Sequence, residues 1–367
     1  MKSCNFALDG EKSHTVRSFA RSLNTAIKVG SEEESVVTRA ILVTGGSGFI
    51  GSYILHKLAE RGDTVINYDV REPGPEAAWM LRPVADRIRF AAGGVENWGD
   101  LIAAVKAHLP DAIIHTAAVV DTVLLAKRPS LAMTINTGGT FNVLEVARLF
   151  GLKRVVCFSS IGVLPSVQYQ PIDVNHPVFL ATEGPGSSLY GAAKAASEAF
   201  CWAYHQSFGV DFITLRPSAV YGFGMQWPLF IKPMVENSLR GLPTRFEKGR
   251  DFPRDYTHVY DVAQLAVKAV DISADKVHDR VFYAATGSPL VTAGKLAEII
   301  GKLIPGADIK IGSGLSEADM LEIRYRGVLS IENARQQLDY EPEFGDIEKG
   351  VANYVQVYRR YVAEHGD

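Results

Sequence analysis

From residue 40 onward, short runs of β-branched and aliphatic residues alternate with stretches whose apolar positions recur every three or four residues. Six of the short runs read as strands: Ala40–Thr44, Thr64–Tyr68, Ile88–Ala91, Ala112–His115, Arg154–Phe158 and Asp211–Leu215. Between them, Phe49–Arg61, Trp98–His108, Ser130–Phe150 and Leu189–Phe208 carry the helical period. Strand and helix in strict alternation imply parallel strands joined by crossovers, with helices on both faces. The expected fold class is therefore α/β, a doubly wound parallel sheet. Past residue 222 the alternation loosens through Gly- and Pro-containing segments at 222–228 and 241–253. This predicts a smaller mixed α/β C-terminal lobe over 223–367, set on the strand ends where open α/β sheets bind ligands, with some of its segments returning to the core.

Residues 1–38 stand apart. Val16, Phe19, Leu23 and Ile27 fall near helical spacing, so the segment reads either as one amphipathic helix or as a partly disordered extension. It has no apolar core of the signal-peptide kind and ends in the acidic run Glu32-Glu33-Glu34, so secretion is not expected. No apolar run is long enough to span a membrane. Among 367 residues, 47% are hydrophobic, enough for a large core, and the net charge of −3 lacks the basic footprint of a nucleic-acid binder. Small-molecule substrates are the expected partners. The three cysteines, Cys4, Cys157 and Cys201, have no metal-ligand spacing, which argues against a metal site and for a reducing, cytoplasmic location.

The first strand runs straight into Gly45-Gly-Ser-Gly48-Phe49-Ile50-Gly51 and then a helix. Glycines at this spacing allow a tight turn and close backbone approach to a pyrophosphate, while the helix N-terminus offers free N–H groups to the anion. A merely structural turn is the competing reading. Asp69 at the end of the next strand favours the dinucleotide, because a carboxylate there can accept hydrogen bonds from the adenosine ribose and repels a 2′-phosphate. NAD is thus expected over NADP, with Arg71 the residue that argues the other way. Tyr190 and Lys194, four residues apart, share one helix face. Such a pair occurs on many amphipathic helices, but here it follows Ser159-Ser160 in a chain with a dinucleotide turn.

Together these residues resemble the extended branch of the short-chain dehydrogenase/reductase superfamily, the NAD-dependent epimerase/dehydratase family, over about residues 40–363. The resemblance implies a Rossmann-type domain over 39–222 that carries NAD and the catalytic groups. It implies cofactor contacts from Gly45, Gly48, Phe49, Ile50, Gly51, Asp69, Thr116, Ala117, Ala118, Asn136, Ser159, Tyr190, Lys194, Pro217 and Ser218. Where the family often reads Gly-Asp after its third strand, this chain has Gly93-Gly94-Val95-Glu96, so adenine is expected to meet backbone near Gly94 and Val95. Homodimers built on Ser130–Phe150 and Leu189–Phe208 are a further implication.

Moving a hydride to or from a secondary alcohol carbon requires a group that takes or gives the hydroxyl proton. A free phenol, with a pKa of about 10, is a poor base at neutral pH. Lys194 and a positive nicotinamide both favour its phenolate, so Tyr190 is the expected acid/base. Ser160 is expected to hydrogen-bond the substrate oxygen, and Lys194, by resemblance, to bind the nicotinamide ribose. Arg254, in Arg254-Asp-Tyr-Thr-His258, matches a family position that meets a substrate pyrophosphate; a salt bridge to a neighbouring acid is the alternative. His258 reads as structural.

The family's dehydratases and decarboxylases place acids just after the catalytic hydroxyl, whereas this chain has Ile161 and Gly162. That leaves epimerisation or net dehydrogenation. Ala219 stands where nucleotide-sugar epimerases commonly have Asn, while the segment from Trp227 and the Arg254 motif look like the sugar-nucleotide enzymes. Phe158–Val163 and His115–Asp121 look like the hydroxysteroid dehydrogenase branch. An NAD-dependent sugar or nucleotide-sugar epimerase is the leading expectation, followed by a dehydrogenase of a hydrophobic or other non-nucleotide alcohol, and then by an NAD-binding protein without turnover.

Overall fold

Seven parallel strands form the main sheet: β1 Ala40–Thr44, β2 Thr64–Asp69, β3 Ile88–Ala92, β4 Ala112–His115, β5 Arg154–Phe158, β6 Phe212–Pro217 and β7 Val281–Ala284. Their order is β7-β6-β5-β4-β1-β2-β3, every neighbouring pair parallel. The chain therefore winds outward from β1 to β3, then returns to the other side of β1 at β4. The crevice left between the ends of β1 and β4 is where such sheets take ligands. The structure is a computed structural model and describes residues 39–179, 182–227 and 229–366. The helix or extension expected within residues 1–38, and Cys4, lie outside the described residues.

Eight helices bear on the site: α1 Phe49–Arg61, α2 Trp98–His108, α3 Gly138–Phe150, α4 Leu189–Phe208, α5 Ile231–Leu239, α6 Val259–Asp271, α7 Ala293–Leu303 and α8 Ile347–His365. Successive strand residues face opposite sides. Ile41, Val43, Val65, Ile114, Val156 and Ile213 meet Ile54, Leu55 and Leu58 of α1 and Val262, Leu265 and Ala266 of α6. Leu42, Ile66, Ile113, Val155 and Phe212 meet Leu101 and Val105 of α2, Val143 and Leu144 of α3, and Cys201 and Tyr204 of α4. Each of these fully buried aliphatic side chains contributes about 1.5–3 kcal/mol, which makes the two-sided sheet the rigid platform of the site.

The expected helix Ser130–Phe150 is divided in the structure. Residues Ala132–Thr137 form a wider π-turn, and α3 begins at Gly138. Asn136 explains the widening: its side-chain oxygen accepts the Val119 N–H at 2.7 Å and its NH₂ donates to the Val119 carbonyl at 3.0 Å. Gly139 then passes so close to Val95 that a Cβ would lie 2.5 Å from Val95 Cγ2. The strand expected from Asp211 begins at Phe212; the Asp211 carbonyl still accepts the Val155 N–H at 3.0 Å, and its carboxylate pairs with Arg154 and Arg280.

Beyond β6 a second core gathers Tyr221, Phe223, Met225, Ile231, Met234, Tyr256, Leu296, Ile300, Val351 and Tyr354. Three two-stranded pieces serve it: Ala219–Tyr221 with Tyr256–His258, Thr244–Phe246 with Ile309–Ile311, and Pro253–Arg254 with Val291–Thr292. Two segments of this half return to the main sheet, α6 on its face and β7 at its edge.

Asp261, in the first turn of α6, is 1% exposed and accepts the backbone N–H groups of Glu343 at 2.7 Å and Phe344 at 3.1 Å. Burial pushes its carboxyl up to about 6, against the opposing pull of those two amides. Asp261→Ala leaves the buried Phe344 N–H and the part-buried Glu343 N–H unpaired and should lower the free energy of unfolding by about 1–3 kcal/mol. Urea denaturation reads this directly, and an unchanged midpoint would show that water replaces the carboxylate.

Candidate active site

The glycine turn is shaped by close approach. Gly45 takes φ +69°, and a Cβ there would lie 2.7 Å from Ala117 Cα in the loop after β4. A Cβ on Gly51 would lie 2.2 Å from the Gly45 carbonyl oxygen, so α1 can start this close to β1 only with glycine there. Gly48 is the N-cap of α1 and brings no side-chain cap, leaving the helix-end N–H groups to an outside acceptor. Phe49 and Ile50 open the helix and pack against the core. Thr116 donates its hydroxyl to the Thr44 carbonyl at 2.8 Å, fastening the β4 loop with Ala117 and Ala118 beside the turn.

Asp69 reaches this turn from β2. Its Oδ2 accepts the Ser47 N–H at 3.1 Å and its Oδ1 the Arg71 N–H at 3.3 Å. Two backbone amides leave lone pairs for a ribose diol. Further along, Gly94 and Val95 already spend their carbonyls, on the Tyr68 hydroxyl at 2.9 Å and the Asn142 amide at 2.9 Å. What they offer an adenine is shape and N–H groups. Asn136 is likewise spent on Val119, so its action on a cofactor would run through the loop it holds.

At the end of β5, Ser159 donates its N–H to the Leu215 carbonyl at 2.8 Å, while its buried hydroxyl finds no partner among the described residues. Ser160 Oγ accepts the Gly162 N–H at 3.0 Å, which aims it at the start of α4. There Ser188 caps the helix by accepting the Gly191 N–H at 3.0 Å, and Tyr190 and Lys194 follow on one face. Gly191 lets the helix end press on the serine loop, since a Cβ would lie 2.6 Å from the Gly162 carbonyl oxygen. A Cβ on Gly162 would in turn lie 3.2 Å from Ser160 Oγ and 3.7 Å from the Tyr190 ring. Ile161 packs on the apolar core. Neither position carries a proton-transfer group.

Burial raises the Tyr190 phenol above its ordinary value, and the Ser160 hydroxyl, hydrogen-bonded to it, pulls it back. Lys194 is 3% exposed and donates to the Phe158 carbonyl at 2.6 Å. Its Nζ lies 5.9 Å from the Tyr190 ring centre. Burial lowers Lys194 to about 8, opposed by Cys157 and then Glu198. Glu198, one turn along α4, is held by Arg216 through a two-pronged pair at 2.9 and 2.7 Å. Sequence reasoning missed this pair, although Glu198 sits four residues from Lys194, the spacing that signals a shared face.

Pro217 ends β6, and the Ser218 hydroxyl is engaged with the Asp255 carbonyl at 2.9 Å and the Thr257 hydroxyl at 2.8 Å. It thus joins the two halves of the chain. Arg254 meets Glu322 at 3.2 Å, and Arg326 contacts the same carboxylate. Both guanidinium groups meet this carboxylate, with Asp319 near enough to favour the charge of Arg254 and Asp255 that of Arg326, and the Nε of each is buried without a partner among the described residues. Burial lowers both arginines, Arg326 to about 9 with Arg254 as the next cause. Arg324 and Tyr325, just before Arg326, pack on Val167 and Gly184 of the segment that runs from Ser160 to Tyr190. Sequence reasoning missed Arg326, although Glu322 sits four residues before it at the spacing of a shared face; what no local pattern shows is that Arg254, 68 residues away from Glu322, joins them. His258 is buried, caps α6 by accepting the Tyr260 N–H at 3.3 Å, and is lowered to about 3 by burial, which suits a structural role.

The family model for the NAD dependent epimerase/dehydratase family matches residues 41–285. The chain belongs to this family. As a member, it is 30% identical to a Methanocaldococcus jannaschii protein provisionally named a UDP-glucose 4-epimerase, over 86% of this chain and 97% of that one. It is 27% identical to the UDP-glucose 4-epimerase of Lacticaseibacillus casei, over 84% and 93% of the two chains. Among solved structures, the Thermus thermophilus UDP-glucose 4-epimerase in complex with NAD superposes with a TM-score of 0.71 at 25% identity, over 87% of this chain and 99% of that one. The uncapped α1 end, the Gly45 cradle and the unpartnered Ser159 hydroxyl all fit the NAD on which the family depends. Among the described residues, no helix is long and apolar enough to cross a membrane.

Asp69→Ala should weaken NAD and relax discrimination against NADP, the two dissociation constants converging by roughly tenfold, about 1.4 kcal/mol. Fluorescence titration with each cofactor measures this. Unchanged preference would assign the discrimination to Arg71 or another group.

Proposed function

We propose that the protein is an NAD-dependent epimerase of a nucleotide sugar, inverting a secondary alcohol through Tyr190, Lys194 and Ser160. The observation that carries this reading is the convergence of those three side chains at the ends of β5 and α4, with no carboxylate at 161 or 162 to drive elimination. Bound NAD supplies the acceptance and return of the hydride. Tyr190 takes the alcohol proton and later gives it back, so no net acid or base is consumed. Ser160 holds the reacting oxygen and, through its bond to the phenol, favours the phenolate. Lys194, anchored on Phe158, adds a fixed positive charge beside the ring.

Arg254 and Arg326 support a diphosphate-bearing substrate. Two neighbouring guanidiniums, each with a buried Nε donor that has no partner among the described residues, offer hydrogen bonds that a diphosphate would take up. The curated relatives, named as UDP-glucose 4-epimerases, favour the sugar-nucleotide reading over a hydrophobic alcohol. Ala219, where such epimerases commonly have Asn, leaves the diphosphate to these arginines. In this reading residues 39–222 carry the cofactor and catalytic groups and 223–367 mainly the substrate groups. A homodimer through α3 and α4 is part of the proposal, supported by the exposed Phe141, Leu149, Phe200 and Phe208 on those helices. The cytoplasmic location rests on the sparse cysteine content.

Tyr190→Phe should cut turnover by roughly 100- to 10,000-fold and leave NAD affinity nearly unchanged, and the parent should interconvert the two sugars without accumulating NADH. Accumulated NADH would mark a dehydrogenase instead; retained turnover in the variant would remove the assigned acid/base. Arg326→Met should raise KM for the nucleotide sugar by roughly 10- to 100-fold with a smaller change in kcat. A KM that does not move would place the diphosphate elsewhere.

A further inference from the structure

Behind the proposed active site lies a pair of thiols with no part in the reaction. Cys157 is on β5, immediately before Phe158, whose carbonyl anchors Lys194. Cys201 is on α4, about two helical turns beyond Lys194 and so on the same side of the helix. The two sulfurs are 3.5 Å apart, with Cys201 donating its weak S–H to Cys157. Both are free thiols, 4% and 1% exposed. Both lie near enough to Lys194 to favour its charge.

We infer that Cys157 and Cys201 are an oxidation site: a small hydroperoxide converts them to a disulfide that ties β5 to α4 and displaces Lys194. The chemistry balances with a hydroperoxide as the two-electron oxidant. The Cys157 sulfur attacks the peroxide oxygen, breaking the O–O bond and releasing water or an alcohol as it becomes a sulfenic acid. The Cys201 sulfur then attacks that sulfur, the S–S bond forms, and the sulfenic oxygen leaves as a second water with the thiol proton. Cys157 is assigned the first step because it is the more exposed of the two and lies toward the strand end that opens on the cleft. The sulfurs are 3.5 Å apart and a disulfide holds them at about 2.05 Å, so closing the bond is shared between rotation of the two side chains and movement of the helix and strand that carry them. Lys194 bridges the same two elements through one hydrogen bond, and a shift on the order of 1 Å in a catalytic group can lower turnover by roughly 100-fold.

The link to Lys194 rests on the proposed function, whereas formation of the disulfide does not. The test uses the full chain in a Cys4→Ser background, so that Cys157 and Cys201 are the remaining cysteines. After treatment with hydrogen peroxide, the protein should weigh less by two hydrogens and yield a peptide linking Cys157 to Cys201. Turnover should fall by roughly 100-fold, and dithiothreitol should restore it. Cys201→Ser should keep its activity through the same treatment; if that variant fails to fold, Cys157→Ala makes the comparison. A peroxide-treated protein that keeps both thiols, or forms the linked peptide with turnover and NAD affinity unchanged, overturns the inference. If the untreated protein shows no epimerase turnover, the linked peptide together with weakened NAD binding still supports it, which separates its failure from that of the functional reading.

Discussion

The bond from Lys194 Nζ to the Phe158 carbonyl, at 2.6 Å, is the constraint on which the candidate site turns. It crosses from a helix to the end of a strand and is buried, so water does not compete for it. The same strand end presents Ser159 and Ser160, and the same helix presents Tyr190. One charge-assisted contact therefore sets the spacing between hydroxyl, phenol and ammonium. Glu198, locked by Arg216, keeps a negative charge one turn away and partly offsets what Lys194 loses by burial. Glycines at 162 and 191 allow the two pieces of backbone to meet where a side chain would hold them apart.

The second half of the chain answers a different electrostatic problem. It brings two arginines to one carboxylate and leaves a buried donor of each without a partner among the described residues, at a cost that an anionic ligand would relieve. Ser218 and Asp255 connect that region to the end of β6. The arginine pair and the end of β6 thus share a hydrogen-bonded seam instead of resting on independent loops.

Much of this was legible in the sequence, for physical reasons. β1, β4, β5, α1, α2 and α4 have the boundaries their apolar period predicts, because strands buried on both faces and amphipathic helices leave strong patterns. The glycine turn and the Tyr190–Lys194 spacing were legible because local geometry demands them. Less legible was anything decided across the fold. The π-turn at Ala132–Thr137 depends on a backbone partner at Val119, and β7 joins β6 from a distant part of the chain. Arg326 and Glu322 are local neighbours, but their meeting with Arg254 spans 68 residues of sequence.

Trp79, in the short helix Pro75–Leu81, packs edge-on against Phe223 and Tyr361 and donates its indole N–H to Glu364 at 2.8 Å. The glycine turn and that short helix face one cleft, lined also by Phe223 and Gly224. The contact between Trp79 and Glu364 spans 285 residues. On the ribosome, the outer wall of the dinucleotide turn therefore lacks this brace until α8 has emerged. The order of synthesis makes the first element to be recognisable in the sequence among the last to be finished in space.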